Sequence, residues 1–361
     1  MTDIEYMRIA LSLASSVKGQ TRPNPPVGSV VVKDNRIVGL GAHLKAGEAH
    51  AEVHAIQMAG NLAEGSDVYV TLEPCSHYGK TPPCANLLVE KKVKRVIIAT
   101  TDPNPLVSGK GIEILQKAGI QVDVGVLQYE AHDLYEEFFY YITNKKPYVT
   151  LKTALTLDGK TAAFTGDSKW ITGEEAREDV HRYRHTHDAI LVGVNTVIQD
   201  DPSLTTRLPG GGGRHPIRIV LDHRLRTPIQ SRLLTDGLSD VWIFTGSSVT
   251  EEQKLPFIEK GIRIFQLDQE RINIKTMLHR LGEESITSLL VEGGSEVNGS
   301  FLKEHAFNQV IAYLAPKLIG GKHAPGFIGG EGFELMSEAL QLEFRSVETL
   351  GNDIKIVAIP R

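Results

Sequence analysis

Cysteine is scarce in this sequence, long apolar runs are absent, and each shortage narrows the class of protein. Only two cysteines occur in 361 residues, too few for the disulfide framework of a small secreted scaffold. No stretch approaches 18 consecutive apolar residues, so we expect no membrane-spanning helix and no membrane partner. Residues 1–10 also lack the basic-then-apolar order of a secretory signal peptide. These shortages predict a protein of the reducing cytoplasm.

An excess of basic residues is likewise missing. The formal net charge is −5, with 14 Lys and Arg against 16 Asp and Glu in residues 1–145 and 25 against 28 in the remainder. Domains that bind nucleic acids usually carry a strongly basic balance. We therefore expect no nucleic-acid partner.

What the sequence does contain is a regular alternation of strand and helix patterns. Hydrophobic residues make up 41% and charged residues 23% of the chain, as in ordinary globular proteins, and the length predicts two domains. Short apolar runs alternate with segments of helical spacing, which predicts layered α/β sheets. The polar segment 143–147 ends in a proline and is the best boundary. We therefore predict domains at 1–145 and 147–361.

Both cysteines fall within residues 74–84, and a His-Ala-Glu triplet at 50–52 lies upstream. Cys75 and Cys84 can supply thiolates to a zinc ion and His50 an imidazole nitrogen, which leaves a fourth position for water. Zinc lowers the pKa of bound water to roughly 7, and Glu52 can carry its proton to a ring nitrogen and to leaving ammonia. This set of residues predicts a zinc-dependent deaminase in which Glu52 is the acid–base group.

A structural zinc site, or two unpaired buried cysteines, would use some of the same residues. A structural zinc normally takes four protein ligands, and His77 could supply the fourth. Such a site gives Glu52 no role and leaves the His-x-Glu spacing unexplained. Eight residues separate Cys75 from Cys84, whereas the usual deaminase pair is Cys-x-x-Cys, so the spacing either weakens the motif or indicates an inserted loop.

Other segments resemble one known family. They are TRPNPPVG at 21–28, GLGAH at 39–43 and DPNPLVSGKG at 102–111. Together with the cysteine loop they resemble the bacterial bifunctional riboflavin-biosynthesis family, a pyrimidine deaminase fused to a 5-amino-6-(5-phosphoribosylamino)uracil reductase. That family also has eight residues between its cysteines, and the resemblance extends over essentially the whole chain. It implies a cytidine-deaminase-like three-layer α/β/α fold for the first domain.

By this resemblance, the deaminase substrate contacts Asn24, His43, Lys80, Asp102 and Asn104. Amide, carboxylate and ammonium groups in loops suit the polar edges of a pyrimidinone and its phosphate. Gly109 and Gly111 would also let the backbone approach an anion at the start of a helix. Without the resemblance, Asp and Asn in a proline-rich turn are about as often simple turn formers.

In the second half no Gly-x-Gly-x-x-Gly motif follows a strand, so we do not expect a Rossmann dinucleotide site. Segments at 151–160, 166–172, 193–207 and 291–295 instead resemble the reductase domain of the same family, whose α/β fold is similar to dihydrofolate reductase. The resemblance implies NADPH as the cofactor and a phosphorylated pyrimidine as the substrate.

The resemblance also assigns roles to single residues of this half. The ribose that is reduced would be surrounded by Lys152, Asp200 and Glu292. The substrate and its phosphate would contact Ser168, Arg184, Leu204, Arg207 and Glu292. The cofactor would contact Ala154, Trp170, Thr196, Asp200, Asp222, Gly293, Gly294 and Ser295. A guanidinium fork matches a phosphate bidentately, and glycines at a strand end let a helix N-terminus face a pyrophosphate.

The two halves together predict a bifunctional enzyme. The first would deaminate 2,5-diamino-6-ribosylamino-4(3H)-pyrimidinone 5′-phosphate, and the second would then reduce the ribosyl chain to ribityl with NADPH. The alternatives are a nucleoside or tRNA deaminase with an appended ligand-binding domain, a structural zinc module joined to a ligand-sensing domain, and a deaminase with a degenerate reductase. The family also implies a homo-oligomer, with a tetramer formed through reductase domains as one form.

Overall fold

The computed structural model describes residues 1–76, 82–104 and 107–361, which divide into two compact units. The first unit is Met1–Lys145 and the second unit is Lys146–Arg361. Each unit has its own sheet. Among the described residues, no helix combines the length and the apolar character needed to cross a membrane.

The first unit contains five helices and a five-stranded sheet among its described residues. The helices are α1 (Asp3–Ser16), α2 (Ala51–Ala59), α3 (Cys84–Glu90), α4 (Lys110–Lys117) and α5 (Gln128–Asn144). The strands are β1 (Gly28–Lys33), β2 (Arg36–Ala42), β3 (Asp67–Leu72), β4 (Arg95–Thr100) and β5 (Gln121–Val124). The strand order is β2-β1-β3-β4-β5, with β1 antiparallel to both of its neighbours and the last three strands parallel.

Alternating side chains of these strands form two separate hydrophobic cores. Val68, Val70 and Val96 face a cluster that includes residues of α2, α3 and α4. Their neighbours Tyr69 and Ile97 face the opposite cluster, which includes residues of α1 and α5. Because successive side chains of a strand point to opposite faces, helices cover both sides of the sheet. The predicted three-layer α/β/α arrangement is confirmed.

Two glycines of β2 bring α2 unusually close to the sheet. A Cβ atom added to Gly39 would lie 2.0 Å from the carbonyl oxygen of Ala55, and one added to Gly41 would lie 2.1 Å from that of Ala51. Any side chain at either position would therefore push the helix away. The residue that precedes α2 and those of its first turn are consequently held against the end of β2.

The second unit is built on a nine-stranded sheet. Its strands are β6 (Tyr148–Thr156), β7 (Ala189–Gly193), β8 (Ile217–Leu221), β9 (Val241–Thr245), β10 (Arg263–Gln266), β11 (Ser288–Val291), β12 (Gln309–Ala315), β13 (Leu342–Leu350) and β14 (Asp353–Pro360). Its helices are α6 (Glu174–Thr186), α7 (Val194–Asp200), α8 (Arg232–Thr235), α9 (Glu251–Glu259), α10 (Ile274–Glu283) and α11 (Ser295–Lys303). The strand order is β10-β9-β8-β7-β11-β6-β12-β14-β13.

The first seven strands in that order are parallel, and the C-terminal hairpin of β13 and β14 is added antiparallel. Residues of α10 and α11 pack on one face of the sheet, and residues of α7, α8 and α9 pack on the other. The predicted α/β architecture is therefore confirmed for this unit too. The carboxyl ends of the parallel strands meet at one edge, where ligands bind in open α/β sheets.

Candidate active sites

Three of the predicted metal ligands come together in the first unit. His50, Cys75 and Cys84 place their ligand atoms within 4.8 Å of one another. The Nδ1 atom of His50 lies 3.5 Å from the Sγ atom of Cys75 and 3.3 Å from that of Cys84. Ligands at ordinary zinc–sulfur and zinc–nitrogen distances in a tetrahedron would be about 3.5 Å apart. One imidazole and two thiols at this spacing fit a zinc ion.

Local chain geometry explains how residues so distant in sequence meet. His50 is the residue before α2, and Cys84 is the first residue of α3. Cys75 lies in the loop after β3 rather than on a helix. Its Sγ atom nevertheless accepts a hydrogen bond of 3.3 Å from the backbone N–H of Cys84. The positive end of α3 therefore faces the sulfur of Cys75.

The electrostatics of this cluster favour a thiolate. The hydrogen bond from Cys84 and the neighbouring His50 lower the pKa of the Cys75 thiol, against the effect of burial. The same contact with Cys75 raises the pKa of His50, so each group stabilises the charged form of the other. A lowered thiol pKa is what a metal ligand or nucleophile requires.

Glu52 lies in the first turn of α2 and is 3% exposed. Burial raises the pKa of its carboxyl group to about 7. The side chain lies within hydrogen-bonding reach of Cys84, so it faces the ligand cluster. A carboxyl group with a pKa close to neutrality, next to a metal site, is suited to taking up and releasing protons.

Asn24 and His43, predicted to contact the substrate, are in contact with each other and with this cluster. The Nδ1 atom of His43 faces the carbonyl oxygen of Ala49 at 3.1 Å, so it carries the hydrogen. Its Nε2 atom is then an acceptor for the amide Nδ2 of Asn24 at 3.2 Å. Burial lowers the pKa of His43, which favours this neutral form. The ring of His43 also packs edge-on against that of His50, with centroids 5.1 Å apart.

The remaining predicted substrate residues of this unit are only partly described. Asp102 is buried, and its Oδ1 atom accepts a hydrogen bond of 2.8 Å from the backbone N–H of Asn104, so it also forms a turn. Lys80 and His77, the other candidate for a fourth zinc ligand, lie outside the described residues. The backbone N–H groups of Gly109 and Gly111 do approach an anion, and that anion is the carboxylate of Glu73.

In the second unit, Glu292 is the centre of a charged cluster. It follows β11 directly, and its backbone N–H donates to the carbonyl of Leu191. Its carboxylate accepts two hydrogen bonds from Arg184, of 2.7 and 3.0 Å, and lies 3.5 Å from the Nζ atom of Lys152. Burial alone would raise the pKa of Glu292, but the two cations outweigh it and lower the pKa to about 2.

This arrangement changes the interpretation of Arg184. Its guanidinium fork is occupied by Glu292, and its Nη1 atom donates to the carbonyl of Thr205 at 3.1 Å. The expectation of a fork open to phosphate is therefore not met in this conformation. Arg207 is exposed, and its backbone N–H and guanidinium both approach His181, at 3.3 and 3.4 Å. Of the two arginines, Arg207 presents the more accessible cation.

Several predicted cofactor residues gather at the carboxyl edge of the sheet. Gly293 and Gly294 follow Glu292, and α11 begins at Ser295 without a capping side chain among the described residues. A Cβ atom on Gly294 would lie 4.0 Å from the hydroxyl of Thr196 in α7. The uncapped N–H groups at the start of α11 are suited to a pyrophosphate. These residues fit the NADPH that the family resemblance implies.

The other predicted residues occupy more varied places. Trp170 is 63% exposed, with the guanidinium of Arg177 over its ring at 4.8 Å and its carbonyl bonded to Lys317 at 2.7 Å. The side chain of Leu204 is in the hydrophobic core, which leaves its backbone for a ligand.

Asp222, a predicted cofactor residue, is fully buried and bonded to Thr227. Asp200 ends α7 and is exposed, and no described hydrogen bond or ion pair joins it to Lys152 or Glu292. Ala154 lies in β6 and Ser168 in the loop after that strand, and both residues are partly exposed.

Comparison with known proteins identifies both units. A family model described as the cytidine and deoxycytidylate deaminase zinc-binding region matches residues 1–100, and the RibD C-terminal domain matches residues 147–356. The riboflavin biosynthesis protein RibD of Bacillus amyloliquefaciens is 53% identical over 358 residues, which cover 99% of this chain and 96% of that relative. Because residues 147–356 match the RibD C-terminal domain, the alternative of a nucleoside or tRNA deaminase with an appended ligand-binding domain is not supported.

Solved structures give the same result. RibD of Acinetobacter baumannii superposes with a TM-score of 0.91 at 39% identity, covering 99% of each chain. A Thermotoga maritima diaminohydroxyphosphoribosylaminopyrimidine deaminase/5-amino-6-(5-phosphoribosylamino)uracil reductase gives a TM-score of 0.88 at 38% identity, covering 99% of this chain and 98% of that one. The chain therefore belongs to the RibD family of riboflavin biosynthesis proteins, with a zinc-binding deaminase domain followed by a reductase domain of the dihydrofolate-reductase-like fold.

Proposed function

We propose that this chain catalyses two consecutive steps of riboflavin biosynthesis on one phosphorylated pyrimidine. The first unit deaminates 2,5-diamino-6-ribosylamino-4(3H)-pyrimidinone 5′-phosphate. The second unit reduces the ribosyl chain of the product to give 5-amino-6-ribitylamino-2,4-pyrimidinedione 5′-phosphate. The observation that carries the proposal is the meeting of His50, Cys75 and Cys84 beside the buried carboxyl of Glu52, in a chain whose second unit matches the RibD C-terminal domain.

In the deaminase step, water adds to the ring carbon that carries the amino group, the bond to that amino group breaks, and ammonia leaves. A zinc ion held by His50, Cys75 and Cys84 supplies the lowered pKa that makes water a nucleophile near neutral pH. Glu52 takes one proton of this water and delivers it to the ring nitrogen. It then takes the proton of the new hydroxyl group as the C=O bond forms and delivers it to the departing amino group, which leaves as ammonia. Burial of Glu52 keeps the proton transfer away from bulk solvent.

Asn24 and His43 orient the pyrimidine in this step. Because His43 accepts a hydrogen bond from the amide nitrogen of Asn24, the amide is fixed, and its carbonyl oxygen is directed to a different side. A neutral histidine and a fixed amide give directional hydrogen bonding without placing a charge beside the substrate. Asp102 and Asn104 contact the same substrate from the loop after β4.

In the reductase step, NADPH supplies the hydride when bound. The hydride adds to C1′ of the ring-opened, imine-like ribosyl chain, and a proton adds to the adjacent nitrogen. Lys152 holds its ammonium proton toward the ribose, and Glu292 fixes that ammonium from 3.5 Å away. Arg184 fixes Glu292 in turn, through two hydrogen bonds. Arg207 binds the substrate phosphate, and the start of α11 binds the cofactor pyrophosphate.

Incubation of the purified protein with the diaminopyrimidinone substrate, with and without NADPH, tests both steps. Without NADPH we expect ammonia and the deaminated ribosyl compound. With NADPH we expect its oxidation and the ribityl product, and metal analysis should find one zinc per chain. Oxidation of NADPH without prior release of ammonia would contradict the order of the steps, and a lack of ammonia release would contradict the deaminase assignment.

We also propose that the chain acts as a homo-oligomer in the cytoplasm. Two free cysteines that serve as metal ligands require a reducing compartment. Strand β13 is an edge of the nine-stranded sheet, and its Phe344 and Val347 are 68% and 61% exposed. An exposed apolar edge strand is a pairing surface for a second copy.

Light scattering tests this assembly. We expect a mass of at least two chains for the wild type and a lower mass for Phe344→Glu, because a buried carboxylate would destabilise the pairing. Tyr129→Glu, at another exposed aromatic residue on the first unit, is the matched control and should leave the mass unchanged. A wild-type monomer would contradict the proposal.

A further inference from the structure

Glu73 has no role in the steps above, yet it lies at the centre of the first unit. It follows β3 directly, two residues before Cys75, and is 4% exposed. Its backbone N–H donates to the carbonyl of Thr100 at the end of β4. An acidic side chain is rarely buried without strong partners, because removing its charge from water is costly.

The described hydrogen-bond partners of this carboxylate lie in the loop after β4 and at the start of α4. Its Oε2 atom accepts hydrogen bonds from the backbone N–H groups of Asp102 and Gly109, at 3.4 and 3.1 Å. Its Oε1 atom accepts one from Gly111, at 3.1 Å. The three donors lie 29 to 38 residues further along the chain. One side chain thus holds Asp102, shortly after β4, and Gly109 and Gly111, at the start of α4.

The start of α4 is shaped to allow this contact. A Cβ atom added to Gly111 would lie 2.1 Å from the carbonyl oxygen of Pro74 and 3.3 Å from the Oε1 atom of Glu73. Only glycine permits so close an approach. The backbone of Asp102 is held by Glu73, and the side chain of Asp102 accepts a hydrogen bond from the backbone N–H of Asn104. Contacts therefore run without a break from Glu73 to both predicted substrate residues.

We propose that Glu73 is a positioning residue of the deaminase, which holds the substrate residues Asp102 and Asn104 at a fixed distance from the zinc ligands. Its place in the chain couples the two parts, because the same short segment carries Cys75. The inference rests on the proposed function, since it requires that Asp102 and Asn104 bind the pyrimidine. Glu73 does not touch the substrate and acts through the loop.

Glu73→Gln tests this role with almost no change in shape. Both carboxylate oxygens accept N–H groups, so the NH₂ of a glutamine faces a backbone donor in either orientation. We expect KM of the deaminase to rise at least about tenfold. We expect kcat to stay within about threefold, because the acid–base group and the metal ligands are unchanged. Zinc content and the rate of NADPH oxidation on the deaminated substrate should equal those of the wild type.

Glu113→Gln is the matched control, because it makes the same chemical change at an exposed residue of α4. A wild-type KM in Glu73→Gln, alongside normal ammonia release by the wild type, would overturn the inference and leave the proposed function intact. Absence of ammonia release by the wild type would instead overturn the proposed function.

A double variant separates positioning from general stabilisation. If Glu73 acts through Asp102, then Glu73→Gln combined with Asp102→Asn should bind substrate no worse than Asp102→Asn alone. Additive losses would contradict the inference. Should Glu73→Gln lack zinc or fail to fold, Gly111→Ala disturbs the same contact from the start of α4 and should raise KM in the same way. Loss of folding in both variants would assign Glu73 a purely structural role and overturn the proposal.

Discussion

Replacement of Glu52 with glutamine is expected to lower the rate of deamination by about a thousandfold or more, while reduction of the deaminated substrate continues at the wild-type rate. Glutamine preserves the shape of the side chain in its buried position but cannot take up and release a proton. His50 and both cysteines are untouched, so zinc content should not change. Release of ammonia from the diaminopyrimidinone substrate is the measurement.

The second activity of the same chain supplies an internal control for concentration. Glu48→Gln, at an exposed residue four positions earlier, is the matched control for the chemical change and should leave both rates unaltered. Deamination by Glu52→Gln within tenfold of the wild type would remove Glu52 from its proposed role. A variant that has lost zinc would show that Glu52 supports the metal site, again contrary to the proposal.

Replacement of Glu292 with glutamine is expected to lower the reductase rate by about a hundredfold and to destabilise the protein by about 3–5 kcal/mol. The change removes a negative charge that pairs with the largely buried Arg184 and lies 3.5 Å from Lys152. Arg184 would be left as a buried cation without a carboxylate partner. The rate of NADPH oxidation with the deaminated substrate measures the reductase effect. Unfolding of the protein in urea measures the change in stability.

The dependence of this stability difference on pH provides a sharper test. The pKa of Glu292 is lowered from 4.5 to about 2 in the folded protein, so the ionised carboxylate stabilises the fold. This contribution is fully present above about pH 4.5 and is lost as the pH falls toward 2. The difference between wild type and Glu292→Gln should therefore narrow over that interval. Glu283→Gln, at an exposed residue, is the matched control for the chemical change.

A constant difference from pH 7 down to the lowest pH at which the protein stays folded would contradict this account. Deamination is the internal control here, and its rate should be unaffected by Glu292→Gln. A reductase rate within twofold of the wild type would contradict the placement of Glu292 next to the ribose.

Much of the fold could be predicted because local patterns were strong. The predicted alternation of short apolar runs and helical segments is clear, for example, in strands β4 and β9 and in helix α2. The short edge strand β10 gives little of this signal, because its four residues begin with an exposed arginine and end with an exposed glutamine. Helix α7 is only seven residues long and directly follows a strand, so it too gives little periodic signal.

Some features of the sites could be inferred from residues close together in the sequence, whereas others depend on contacts between residues far apart in it. His50 and Glu52 share one turn of helix, so their relation can be inferred from spacing alone. The use of the Arg184 fork by Glu292 joins residues 108 positions apart, and no pattern near either residue signals it. Glu73 had one available signal, a glutamate at the end of a buried strand immediately before a Pro-Cys pair. Its meaning depends on a loop that only the folded chain brings near.

The contact of Gly39 and Gly41 with α2 means that the backbone of β2 sets the position of the catalytic residues at the start of that helix. Because α2 packs directly on the glycine backbone of β2, no side chain at these two positions can change its rotamer to adjust the distance between sheet and helix. A methyl group added at Gly41 would shift α2, and with it His50, by a fraction of an ångström or more. Variation at these two positions would therefore appear first as altered metal affinity, before any loss of the fold.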